Sequence, residues 1–141
     1  MANHMAAVSE EFDADEAEDK LVDEPEDPSI VRIGVIADTE VTLGLLLVGI
    51  GYERDKFHNY LMVDNDTPLD AIEQFFQNLY KRHNIGIILI DFMTAKRLGT
   101  VLDKCKKLLP VVVILPTKAS IVPYIEEKER LRRQRRRDIY L

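Results

Sequence analysis

From Pro28 onward the chain alternates short runs of aliphatic and β-branched residues with longer segments of helical periodicity. Val31 to Ile36, Asn59 to Val63, Ile85 to Ile90 and Val111 to Leu115 are of strand length and rich in Val and Ile. Their nearly continuous apolarity predicts strands buried on both faces, as parallel strands are. Between the second and third runs, Thr67, Pro68 and Asp70 read as a helix start: Thr as N-cap, Pro at the first helical position, and an acid three residues after the cap. Leu69, Ile72, Phe76 and Leu79 follow at helical spacing, with Phe75 and Tyr80 widening the stripe. Leu98, Val101, Leu102, Cys105, Leu108 and Leu109 make a second stripe, which predicts a core position for Cys105. Gly99 inside that helix costs about 1 kcal/mol relative to Ala, so close packing against a neighbour is expected there.

The earliest helical segment, roughly Glu40 to Ile50, is apolar nearly all round, which predicts burial on more than one side; an interface is one way to supply it. The last, about Pro123 to Asp138, has almost no stripe beyond Tyr124, Ile125 and Leu131 and is not expected to be a full core member. Strand and helix alternate four times. With right-handed crossovers this predicts an α/β fold: a four-stranded parallel sheet with helices on both faces, flavodoxin-like or receiver-like in topology, plus a protruding C-terminal helix.

Charge divides the chain further. The 141 residues carry 19 Lys and Arg against 25 Asp and Glu, yet residues 1–29 hold eleven of the acids and one base, Lys20. With Phe12, Leu21 and Val22 among its few large apolar side chains, that stretch cannot bury enough surface to offset its conformational entropy. Residues 1–29 are therefore expected to be an acidic disordered tail, 30–120 the α/β domain, and 121–141 a basic C-terminal helix. The tail reads as a solubilising spacer, or as an interaction arm for a basic partner or for the basic C-terminus of the same chain.

The apolar runs fall well short of the roughly 20 residues a membrane-spanning helix needs, so no direct membrane insertion is expected. One cysteine excludes an internal disulfide and a Cys-rich zinc site, and the acidic N-terminus does not resemble a signal peptide, which fits a cytoplasmic setting.

In an open parallel sheet, ligands bind beyond the carboxyl ends of the strands. Asp38 and Glu40 follow the first strand, Asp91 the third, and Thr117 with Lys118 the fourth. Acids so placed could hold Mg²⁺ and accept a phosphoryl group, as in receiver-like regulatory domains. Receivers, however, have adjacent acids after the first strand and a fifth strand followed by Lys, whereas here Thr39 intervenes and a basic helix stands last. The simpler expectation is that Asp38, Thr39 and Asp91 cap helices.

Gly44, Gly49 and Gly51 do not form a dinucleotide-binding loop, and His4, His58 and His83 are too scattered for a metal site. Asn65-Asp66-Thr67 matches a glycosylation sequon that a cytosolic chain would not use. The Arg-rich last helix could meet nucleic-acid phosphates, but a net charge of −6, interspersed acids and no aromatic platform argue for a protein interface, with no nucleic acid.

The stretch Ile33-Gly34-Val35-Ile36-Ala37-Asp38, followed by Thr42, Gly44 and Val48-Gly49-Ile50-Gly51, resembles the opening of the F-subunits of eukaryotic vacuolar-type proton-pumping ATPases (V-ATPases). Ile72-Glu73 with Phe76, Ile85 to Ile90, and Pro110-Val111-Val112 leading to Ile114-Leu115-Pro116-Thr117-Lys118 match in the same order. The resemblance implies a central-stalk component with no active site or cofactor of its own. It implies a seat on the axle, the D-subunit of such pumps, inside the catalytic ring and peripheral to the membrane, coupling ATP hydrolysis to proton translocation. In that family the C-terminal part runs along the axle. Tyr124, Ile125, Lys128, Arg130, Leu131 and Arg132 are then the candidate contacts. The acidic tail and the Arg-rich helix set the chain apart as a divergent member.

Overall fold

The computed structural model describes residues 27, 29–51, 53–54 and 57–140. The segment expected to be a disordered tail lies outside the described residues except for Asp27 and Ser29. There the Asp27 carboxylate accepts the Ser29 amide, and the Ile30 amide donates to the Asp27 carbonyl.

The elements run β1 (Arg32–Ala37), α1 (Thr39–Leu47), β2 (Glu53–Arg54), β3 (Phe57–His58), β4 (Tyr60–Met62), α2 (Leu69–Lys81), β5 (Ile85–Asp91), α3 (Phe92–Leu98), α4 (Thr100–Asp103), β6 (Val111–Leu115) and α5 (Ile121–Tyr140). The main sheet has the order β4-β1-β5-β6 with every pair parallel, as the alternation predicts. β2 and β3 form a separate antiparallel pair, too short to leave a period in the sequence.

The first crossover moves one way across the sheet and the later ones the other way, so right-handedness puts α1 on one face and α2 to α4 on the other. On the second face Ile36, Ile88 and Ile90 pack against Ile72, Phe76 and Leu79 of α2 and Ala95 and Leu98 of α3. Gly34 lets α2 lie close, since a Cβ there would come within 2.7 Å of Leu79 Cδ1. On the α1 face, register aligns Ile33 with Ile87 and Val111, and Val35 with Leu89 and Val113. Val35 is fully buried, but Ile87 is 37% exposed, Val111 47% and Val113 37%. Burial on both faces thus holds for β1 and fails for β6. β6 is an edge strand, and no described helix lies over it on the α1 face.

Three further expectations need correction. In α1 only Thr42 is buried; Leu43 and Leu47, with Val48 just after the helix, stay exposed, so the described residues do not supply burial on several sides. The α2 cap residue is Pro68, not Thr67. The Thr67 hydroxyl instead donates to the Asp64 carboxylate at 2.9 Å and accepts the Asp64 amide at 3.0 Å, closing a turn before the helix.

The predicted single helix through Gly99 is two short helices, because Gly99 takes a positive φ of 32° and ends α3. Leu108 and Leu109 consequently fall on the surface instead of the core. Cys105 is half-buried against the core, its thiol donating to the Val101 carbonyl at 3.4 Å. Gly99→Ala is expected to lower stability by about 1 kcal/mol through the strained φ, read as a shifted urea midpoint with an unchanged m-value.

Candidate functional site

Two regions of the fold could act: the carboxyl ends of the strands and the C-terminal helix. At the first, the strand order reverses beside β1, and the crevice between β1 and β5 is where an open sheet would take a ligand. Asp38 and Asp91 both stand there. Asp38 Oδ1 accepts the Val41 amide at 2.8 Å and so caps α1. Asp91 is 4% exposed; its Oδ1 accepts the Thr94 amide at 2.7 Å, capping α3, and its Oδ2 accepts the Asp38 amide at 2.7 Å. Both oxygens of Asp91 are engaged by backbone donors, and that bond across the crevice ties β1 to β5. Thr39 is the first residue of α1 and not its cap.

Glu40 and Lys118 are exposed and, with Asp38, Val41 and Ala119, line an open hollow of about 430 Å³. Among the described residues no three His, Cys, Asp or Glu side chains group to hold a metal ion. Thr117 serves the backbone too. Its amide donates to Ser120 Oγ at 2.9 Å, the two hydroxyls lie 2.9 Å apart, and the Ser120 amide returns to the Thr117 carbonyl at 3.0 Å. Ser120 is fully buried, and its carbonyl accepts the Tyr124 amide at 3.0 Å, the first turn of α5. This hydroxyl-locked turn sets the direction in which α5 leaves β6. A Ser directly before an apolar helical turn was the available signal for it.

At the second region, α5 extends for 20 residues without one buried side chain. Its foot rests on α3. The Tyr124 ring meets Phe92 edge-on with centroids 5.7 Å apart, Lys128 Nζ lies 5.5 Å over the Tyr124 ring, and Lys96 Nζ is 3.9 Å from Glu127. The Arg130 guanidinium bonds Glu127 at 2.8 Å and holds that carboxyl below the usual carboxylate range, with Lys96 adding to the effect. Between α5 and the sheet runs a groove of about 510 Å³ whose lining includes Phe92, Leu102, Ile114, Tyr124, Lys128 and Leu131.

The six candidate contacts are therefore split. Tyr124, Lys128 and Leu131 line this groove, Arg130 is held by Glu127, and Ile125 and Arg132 do not line it. Ile125 is 49% exposed. Phe92, Leu102 and Ile114 were not anticipated as part of such a surface, because in the sequence they sit within apolar runs indistinguishable from core.

No helix among the described residues is long and apolar enough to cross a membrane. The profile of the ATP synthase (F/14-kDa) subunit matches residues 33–134. The F-subunit of the V-type proton ATPase of Bos taurus is 35% identical over 105 residues, 74% of this chain and 87% of that protein. That of Neosartorya fischeri is 36% identical over 109 residues, 74% of this chain and 86% of its own. Among solved structures, the F-subunit of the V-type ATP synthase of Archaeoglobus fulgidus is 21% identical, covering 61% of this chain and 98% of its own with a TM-score of 0.45. Matched over most of the α/β domain and the first two-thirds of α5, the chain belongs to the family of the ATP synthase (F/14-kDa) subunit, that of the V-type proton ATPase F-subunits.

Proposed function

We propose that this chain is a rotor component in the central stalk of a vacuolar-type proton-pumping ATPase, with no active site of its own. Seated on the axle, the D-subunit, within the ring of nucleotide-hydrolysing subunits, it helps carry rotation toward the membrane sector and so couples ATP hydrolysis to proton translocation. It works on the cytoplasmic side, held at the membrane through the complex. The observation that supports this reading is α5: a helix of 20 residues with nothing buried, carrying Ile121, Val122, Ile125, Leu131 and Ile139 exposed along its length.

Helical stability in proteins comes mainly from packing an apolar face, and among the described residues this helix packs on its own domain through little more than its foot on α3. A long helical axle supplies the missing surface. Tyr124, Ile125, Lys128, Arg130, Leu131 and Arg132 are the proposed contacts, with the Arg forks pairing to carboxylates of the axle or ring. The test is co-purification of the tagged full chain from cells that express it. Recovery of the axle and catalytic-ring subunits is expected; recovery of the chain without either would refute the assignment.

A further inference from the structure

The outer half of α5 carries a charge excess that its own helix does not balance. Residues 130–137 hold six Arg and no acid. Arg130 pairs with Glu127 at 2.8 Å and Arg133 reaches Glu129 only at 4.0 Å. Among the described residues Arg132, Arg135, Arg136 and Arg137 have no ion pair. Arg132 with Arg136, and Arg133 with Arg137, are like charges four residues apart, which repel on a helix. Arg130, Arg133 and Arg137 also share one open groove of about 590 Å³ with Glu126, Glu129 and Gln134.

The direction of α5 decides what anion lies near. α3 starts at the carboxyl end of β5 and runs back toward the amino ends of the strands. α5 lies beside it in the same sense, since Tyr124 meets Phe92 and Glu127 meets Lys96 one turn further on. From Ile121 to Arg133 the helix rises about 18 Å. The five residues of β6 span about 17 Å, so the Arg-rich half of α5 reaches the end of the sheet at which the chain enters β1.

We propose that the acidic residues 10–26 of this same chain dock along α5 at residues 130–137. That segment lies outside the described residues; it contains ten acids and one base, Lys20, and it joins the fold at Asp27 by the amino end of β1. β1 and β6 are two strand spacings apart, roughly 10 Å, and α5 stands about 10 Å off the sheet. About 15 residues can reach at most roughly 50 Å, so chain length does not keep the segment from the helix. Tethering also raises its effective concentration to about the millimolar range, which favours this occupant over the tail of a second copy in dilute solution.

The contacts are charge-assisted, carboxylate to guanidinium, with bidentate pairing open to Arg132, Arg135, Arg136 and Arg137. Any anionic partner surface must displace the segment to reach those side chains. The docking is a property of the isolated chain and stands whether or not α5 meets an axle.

The experiment places a nitroxide on Ala17→Cys in a Cys105→Ser background of the full chain and reads amide signals by NMR. At low salt, residues 130–137 are expected to lose signal while the amides of α1 keep theirs. The loss should reverse at about 1 M NaCl, where screening acts over about 3 Å. Replacing Arg132, Arg135, Arg136 and Arg137 together by Gln should restore the signals of residues 130 and 133, with circular dichroism checking that the helix persists. Signals on α5 that stay unbroadened at low salt, or broadening that survives 1 M NaCl or the Gln variant, would overturn the proposal. So would broadening that disappears on dilution, which would assign the contact to a second copy.

Discussion

A chain ending at Val122 is expected to retain the cooperative melting of the α/β domain and to lose at least about thirtyfold in affinity for the axle. The domain should tolerate the cut because no α5 side chain is buried; Tyr124 and Glu127 are only half-covered against α3. The main local loss is the edge-on packing of Tyr124 on Phe92 and the salt link of Lys96 to Glu127, a 3.9 Å pair with both side chains partly in solvent, which contributes little. Binding should fall because the truncation removes Ile125, Leu131 and the Arg fork positions at once, and one well-placed side chain of that kind is worth about 2 kcal/mol. Circular dichroism, reduced by the missing helix alone, and titration calorimetry with the axle protein measure the two halves of the prediction. Undiminished binding would move the interface to α1, whose Leu43 and Leu47 also lack cover, as does Val48 just after it.

Asp91→Ala is expected to destabilise the domain by about 3 kcal/mol, well above the cost of an ordinary exposed cap. Its carboxylate accepts two backbone amides in a buried position, Thr94 at 2.7 Å and Asp38 at 2.7 Å, so its removal leaves two donors unpaired and removes the side-chain bond that joins the carboxyl ends of β1 and β5. For a domain of this size the melting midpoint should drop by about 10–20 °C. Asp38→Ala, losing one bond to the Val41 amide at a less buried site, should cost only about 1 kcal/mol. In the unsubstituted chain, Mg²⁺-dependent labelling by a small phosphodonor should incorporate nothing at Asp91. A phosphoaspartate there would revive the receiver-like reading.

The capping role of Asp38 and Asp91 could be anticipated because an acid just after a strand and just before a helix is a local pattern. The bond from the Asp38 amide to Asp91 could not, since it joins residues 53 positions apart and exists only once β1 and β5 are paired. Similarly, the pattern of α5 foretold a helix without a core stripe. It did not show that Tyr124 would find Phe92 or that Leu131 would face Leu102 and Ile114 across a groove.

Local periodicity was sufficient for the four main strands, their alternation with helices and hence the parallel order, because side-chain spacing and crossover handedness act on every such segment alike. It erred where a local signal competed with a tertiary one. Gly99 lay within an unbroken apolar stripe, yet its positive φ turns the chain and leaves Leu108 and Leu109 outside. Thr67 had the chemistry of a cap, but Asp64 claimed its hydroxyl. β6 has the composition of a strand buried on both faces and α1 is apolar all round, but composition records what a surface can bury and not what covers it. That was settled by the direction in which the Thr117–Ser120 turn sends α5, alongside α3 instead of back across the α1 face of β6.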